Sequence, residues 1–155
     1  MSDIVENVRN EIMQRSQKYI TEVDDYDFWN EHVKLVVYYA IRTAQRYGAD
    51  LEIVELGALL HDIALISNIG SRSEHHTQGA AISSEILNKL GYDKDKTERV
   101  VKCVLNHRSS KNAKSNEELC VADADILSHS ANIPMIFQVG FVLHKKNLRQ
   151  VKAEL

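Results

Sequence analysis

The chain has 155 residues, 44% apolar and 26% charged, which suits a single soluble domain with a sizeable core. Its 19 basic and 22 acidic residues leave a net charge of −3, which argues against a general nucleic-acid surface. No uncharged apolar run reaches the ~20 residues of a spanning helix, and the start MSDIVENVRNEIMQ is too charged for the pattern of a signal peptide; a cytoplasmic protein without a membrane partner is expected.

Six glycines and the single Pro134 favour long helices over many short strands. Ile4, Val5, Val8, Ile12 and Met13 recur at helical spacing and predict a helix over roughly 2–19. A second helix is expected over about 26–47, with Trp29, His32, Val33, Val36, Val37, Ala40 and Ala44 on one stripe and Gly48 placed to cap its end. A third runs from about Leu51 to His61. Residues 64–74, with Ser67, Asn68, Gly70, Ser71 and Ser73, have the composition of a loop. Further helices are expected over about 75–90, 93–106 and 116–130, with a polar loop from Ser109 to Ser115. The apolar patch after Pro134 (Ile136, Phe137, Val139, Phe141, Val142, Leu143) predicts a seventh helix, packed on the same core or against a second copy in a homodimer. The expectation is one all-α domain over 1–155, a bundle of about six to seven helices. Cys103 and Cys120 form no CxxC pattern and read as reduced core residues.

The informative stretch is Ala58-Leu59-Leu60-His61-Asp62-Ile63. It sets two metal-grade side chains at the end of an apolar segment. A buried carboxylate costs several kcal/mol unless a cation or donor compensates it. His32 upstream, and His76, His107 and Asp125 downstream, are the candidate partners, and together they suggest a metal centre that activates water. Imidazoles and carboxylates without thiolates suit iron, manganese, zinc or nickel. Arg108 and Lys111 follow His107 in a polar loop, placed to meet a substrate phosphate.

The order of these residues resembles the HD-domain superfamily of metal-dependent phosphohydrolases, over roughly residues 28–130. The resemblance rests on His32 with Val36 and Ala40, on Gly57-Ala58-Leu59-Leu60-His61-Asp62-Ile63, and on Ala124-Asp125-Ile126-Leu127. It implies that His32, His61, Asp62 and Asp125 bind one metal; Asp123 competes with Asp125, which carries the family's Ala-Asp-x-Leu. In members with two metals, histidines at the places of His76 and His107 bind the second ion and the aspartate corresponding to Asp62 bridges the pair. His75 is the alternative to His76. The implied cofactor is one or two divalent transition ions (Fe, Mn, Zn, Ni or Co). The implied chemistry is hydrolysis of a nucleotide or other small phosphate ester, with bound water acidified from about 15.7 toward ~7. With one metal, His76 or His107 becomes the general acid.

Two other functions use the same residues. A di-iron oxygenase can be built on this scaffold with six such ligands, and a non-catalytic metal- or nucleotide-binding module would retain them without turnover. The run Ile63-Ala64-Leu65-Ile66 offers no carboxylate just after the His-Asp pair, and no Gly-Tyr-Pro motif occurs. His129 and His144 match no part of the pattern.

Overall fold

The computed structural model describes residues 3–143 and 145–152. His144, and the side chains of Ile136, Val139 and Leu143 from the tail patch, lie outside the described residues. Nine α-helical segments and no strand occur among those described, so the fold is all-α.

Helix α1 (Asp3–Glu22) buries Val5, Val8, Ile12 and Ser16 on one face, the spacing expected of an amphipathic helix. The second helix is not regular throughout. Trp29–Val33 forms a π-helical turn, and α2 (Lys34–Tyr47) follows it. Its entry is held by side chains: the Ser16 hydroxyl accepts from the Trp29 amide at 3.0 Å, and the Asp27 carboxylate accepts from the Asn30 amide at 3.0 Å. Such one-turn π insertions concentrate at functional sites, and this one turns both His32 and Val33 into the interior. Trp29 lies partly buried against the core with Arg9 over its ring. Gly48 ends α2 in the left-handed region (φ 66°), its amide donating to the Ala44 carbonyl.

Helix α3 (Leu51–Leu60) is capped by Asp50, whose carboxylate accepts from the amides of Glu52 and Ile53. It is buried almost all round, at Ile53, Val54 and the whole run Leu56–Leu60. A helix of that kind belongs at the centre of a bundle, and α3 packs against α1, α2, α6 (Lys94–Asn106) and α7 (Asn116–Ala131). Gly57 permits the closest approach: a Cβ there would stand 2.7 Å from Cys103 Cβ and 3.2 Å from Val121 Cγ2. Cys103 and Cys120 are both free and buried.

The stretch expected as loop from residue 64 begins instead with a short helical turn, α4 (Ile63–Ile66). Its apolar side chains Ile63, Ala64 and Ile66 are buried, and burial outweighs the loop-forming residues that start at Ser67. Helix α5 (His75–Lys89) then packs on α6. The tail differs from a single seventh helix: α8 (Ile133–Phe137), a π-helical turn (Gln138–Leu143) and α9 (Leu148–Lys152) follow one another. Val151 is buried, whereas Phe137, Phe141 and Val142 are exposed. Tyr38 is also exposed, while Tyr39 and Ile41 pack partly against the core. No described helix is long and apolar enough to cross a membrane.

Candidate metal centre

The end of α3 delivers His61 and Asp62 to the middle of the bundle, where the π-helical turn, α5, α6 and α7 converge. His61 is fully buried and its Nδ1 donates to the Ala58 carbonyl at 2.7 Å. A carbonyl can only accept, so the neutral ring carries its lone pair on Nε2. The same device recurs. His75 Nδ1 donates to the Arg72 carbonyl at 2.6 Å, and His107 Nδ1 donates to the Val104 carbonyl at 2.6 Å. The Ser128 hydroxyl donates to the Asp125 carbonyl at 2.7 Å and so accepts from His32 Nδ1 at 3.2 Å. Four imidazoles are thus oriented from behind with Nε2 facing inward, the usual arrangement of metal-ligating histidines.

Asp62 lies between them. Its Oδ2 is 3.4 Å from His32 Nε2 and 3.5 Å from His61 Nε2, and its Oδ1 is 3.2 Å from His75 Nε2 and 3.7 Å from His107 Nε2. Asp125 closes the first group, with Oδ1 3.3 Å from His32 Nε2 and 3.9 Å from His61 Nε2. Within each pair the Nε2 atoms approach closely: 2.9 Å for His32 and His61, 3.1 Å for His75 and His107. Two facing lone pairs repel unless a proton or cation lies between them. A divalent ion satisfies both nitrogens and the carboxylate together, so this donor set fits a metal.

The electrostatics point the same way. Burial opposes protonation of His32, yet Asp125 and Asp62 raise its pKa to about 9. Burial also opposes ionisation of Asp62, but His61, His32 and His75 hold its carboxyl well below the usual carboxylate range. Asp125 is lowered against burial by His32 and His61. His75 is raised against burial by Asp62. Burial and the His61 charge lower His107 to about 4, against the opposing pull of Asp62 and Asp125.

The expected residues divide clearly by position. His32, His61, Asp62, His107 and Asp125 come together. Of the two adjacent histidines, His75 reaches Asp62 and His107, whereas His76 stands beside it with ring centroids 5.9 Å apart and its Nδ1 buried without a partner. Burial and the Arg108 charge lower His76. Asp123 lines an outer groove with Arg42 and Tyr47, away from the cluster. Arg108 donates to the Ser73 carbonyl at 2.8 Å, which ties the loop after α6 to the loop before α5. Lys111 is exposed in a short 3-10 turn, Ser110–Asn112. Behind this loop the buried Glu118 accepts from Asn106 Nδ2 at 2.8 Å and from the Lys114 amide at 3.1 Å, anchoring the residue that precedes His107. Three neighbours were not expected at the site: His129, which matched no part of the pattern, and Ser128 and Tyr26. Ser128 and His129 follow Asp125 by one helical turn, a spacing that could have revealed them; Tyr26, raised by burial and by the Asp62 charge, has no such signal.

Residues 30–130 match the family model of the HD domain. The chain belongs to the HD-domain family. Its fold is similar to the crystal structure of a "predicted HD superfamily hydrolase" from an uncultured Thermotogales bacterium, at 25% sequence identity and a TM-score of 0.67, over 92% of this chain and 79% of that one. No protein of curated function matches significantly. HD domains bind divalent metals, and the buried histidine–aspartate cluster of this one could hold them. Family and neighbour support a place in a superfamily of metal-dependent hydrolases.

Proposed function

We propose that this HD-domain protein is a metal-dependent phosphohydrolase acting on a nucleotide or other small phosphate ester, with six protein donors for two divalent ions. His32, His61 and Asp125 would hold one ion, His75 and His107 the other, and Asp62 both. The observation that carries this reading is the position of Asp62, whose two oxygens face two different histidine pairs. Bound divalent ions would supply Lewis acidity, lowering the pKa of water and neutralising phosphate charge.

The chain's own residues do the rest. The backbone carbonyls of Ala58, Arg72 and Val104, with the Ser128 hydroxyl, keep the imidazoles in one tautomer and one orientation. Arg108, exposed at the rim and close enough for its charge to act on both His75 and His76, is placed to meet a phosphate oxygen. Lys111 adds a second positive charge on the same loop. His76, next to the second histidine pair yet outside it, is lowered by burial and the Arg108 charge, so it would meet the substrate as a neutral imidazole. The exposed Phe137, Phe141 and Val142 offer an apolar face to a second copy and support a homodimer.

Phosphate release from a panel of nucleotides and sugar phosphates tests the reading. Activity should require Mn²⁺, Fe²⁺, Co²⁺, Ni²⁺ or Zn²⁺, and Asp62→Ala should abolish it. A carboxylate shared by two histidine pairs would equally suit a di-iron oxygenase. Oxygen uptake with an organic substrate, an optical signature of mixed-valent iron and no phosphate release would favour that alternative.

A further inference from the structure

One imidazole beside the centre remains without a part. His129 follows Asp125 by one turn of α7, and its ring lies parallel to that of His32, with centroids 5.2 Å apart and planes at 9°. Its Nε2 stands 3.8 Å from Asp125 Oδ1. That is too long for a hydrogen bond. It is a normal separation for two donors on one cation, because bonds of about 2.0–2.2 Å put neighbouring donors ~3 Å apart and opposite ones a little over ~4 Å apart. The ligating atoms of His32, Asp125 and His129 all lie within 4.8 Å of one another. The His129 side chain is 44% exposed against 16% for Asp125, and His32 is buried, so His129 reaches this place from the solvent side.

We propose that His129 is a further protein ligand to the ion beside Asp125, closing its solvent side. This inference rests on the metal-dependent reading above and goes beyond its six donors. His129 differs from them in one respect: His32, His61, His75 and His107 each have Nδ1 held from behind, and among the described residues no hydrogen bond holds the His129 ring. An unrestrained donor contributes less affinity than a preorganised one. Removing it therefore weakens the ion without expelling it.

The test is a Co²⁺ titration of the full chain, following the d–d absorption and the dissociation constant. His129→Phe keeps a ring to stack on His32 and removes the nitrogen. It should bind the ion beside Asp125 about tenfold more weakly, with altered d–d bands and an unchanged circular dichroism spectrum. Wild-type affinity together with a wild-type cobalt spectrum would overturn the proposal. If the Phe variant fails to fold, His129→Ala is read by the same two signals. A wild-type chain that takes up no Co²⁺ would overturn this proposal and the metal-dependent reading together, whereas normal uptake with no response to His129 substitution overturns this proposal alone.

Discussion

The two sides of Asp62 differ in charge. On one side, His32 and His61 share the space with both Asp62 and Asp125, and the pKa of His32 rises to about 9. On the other, the shared Asp62 raises His75, while burial and the His61 charge take His107 down to about 4. The nitrogens are equally well oriented on both sides. The two differ by one carboxylate, so the proposed two-ion reading expects the first side to hold a cation more strongly and the second to be emptied more easily.

Substitutions can break that comparison, beginning with the largest effect. Asp62→Ala removes the one residue common to both sides. Both ions should be lost and phosphate release should fall by well over the roughly 10–100-fold typical of an outer-shell change; elemental analysis and a product assay read the two effects. His107→Ala should reduce the metal content from about two ions to about one, and Asp125→Asn should weaken the other ion, so a calorimetric titration that resolves two sites would see each variant spare the opposite side.

Ser128→Ala sharpens the comparison further. It removes the acceptor for His32 Nδ1 and should weaken the first site alone by roughly tenfold. Equal losses at both sites would mean that Ser128 acts on the fold and not on His32. Gly57→Ala works on the scaffold that both sides share. The added methyl would meet Cys103 Cβ and Val121 Cγ2, and over-packing of this kind costs about 1–3 kcal/mol, readable as a lower denaturation midpoint with the metal stoichiometry of the folded fraction unchanged.

Acid and base should also separate the sides in the metal-free protein. His32 has a folded-state pKa raised above 6.5 to about 9, so its contribution to stability is complete below 6.5 and is lost as pH rises through 9. His107 has a folded-state pKa lowered to about 4, so its unfolded form gains the proton first and stability is lost as pH falls from 6.5 toward 4. Thermal unfolding in chelator should therefore be most resistant near pH 6.5 on this account. Metal loading replaces the proton at His32 and should remove the alkaline decline.

Much of this was legible in the sequence, for identifiable reasons. The apolar run before His61-Asp62 could only be a buried helix, and the stripe shared by His32, Val36 and Ala40 marked that histidine as inward-facing, which the π-helical turn preserves. The π-helical turn at Trp29–Val33 was not legible, because a shift of hydrogen-bonding partner by one residue leaves no mark on composition or period. The choice between His75 and His76 was open for a related reason. Adjacent residues on a first turn point about 100° apart, and the entry angle of the preceding loop decides between them; the Arg72 carbonyl, which accepts from His75, fixes that angle. Asp123 and Asp125 presented the same ambiguity on α7, which is buried along Cys120, Val121, Ala122 and Ala124 and so has no single apolar face to orient it. His129 was visible as a residue one turn beyond Asp125, but its relevance depended on knowing that Asp125 faces inward.

Anomalous diffraction from crystals grown with Mn²⁺ tests the bridging position of Asp62 most directly. The account predicts two peaks flanking its carboxylate, one against His32, His61 and Asp125 and the other against His75 and His107. A single peak bound by one oxygen, or peaks away from these side chains, would contradict it.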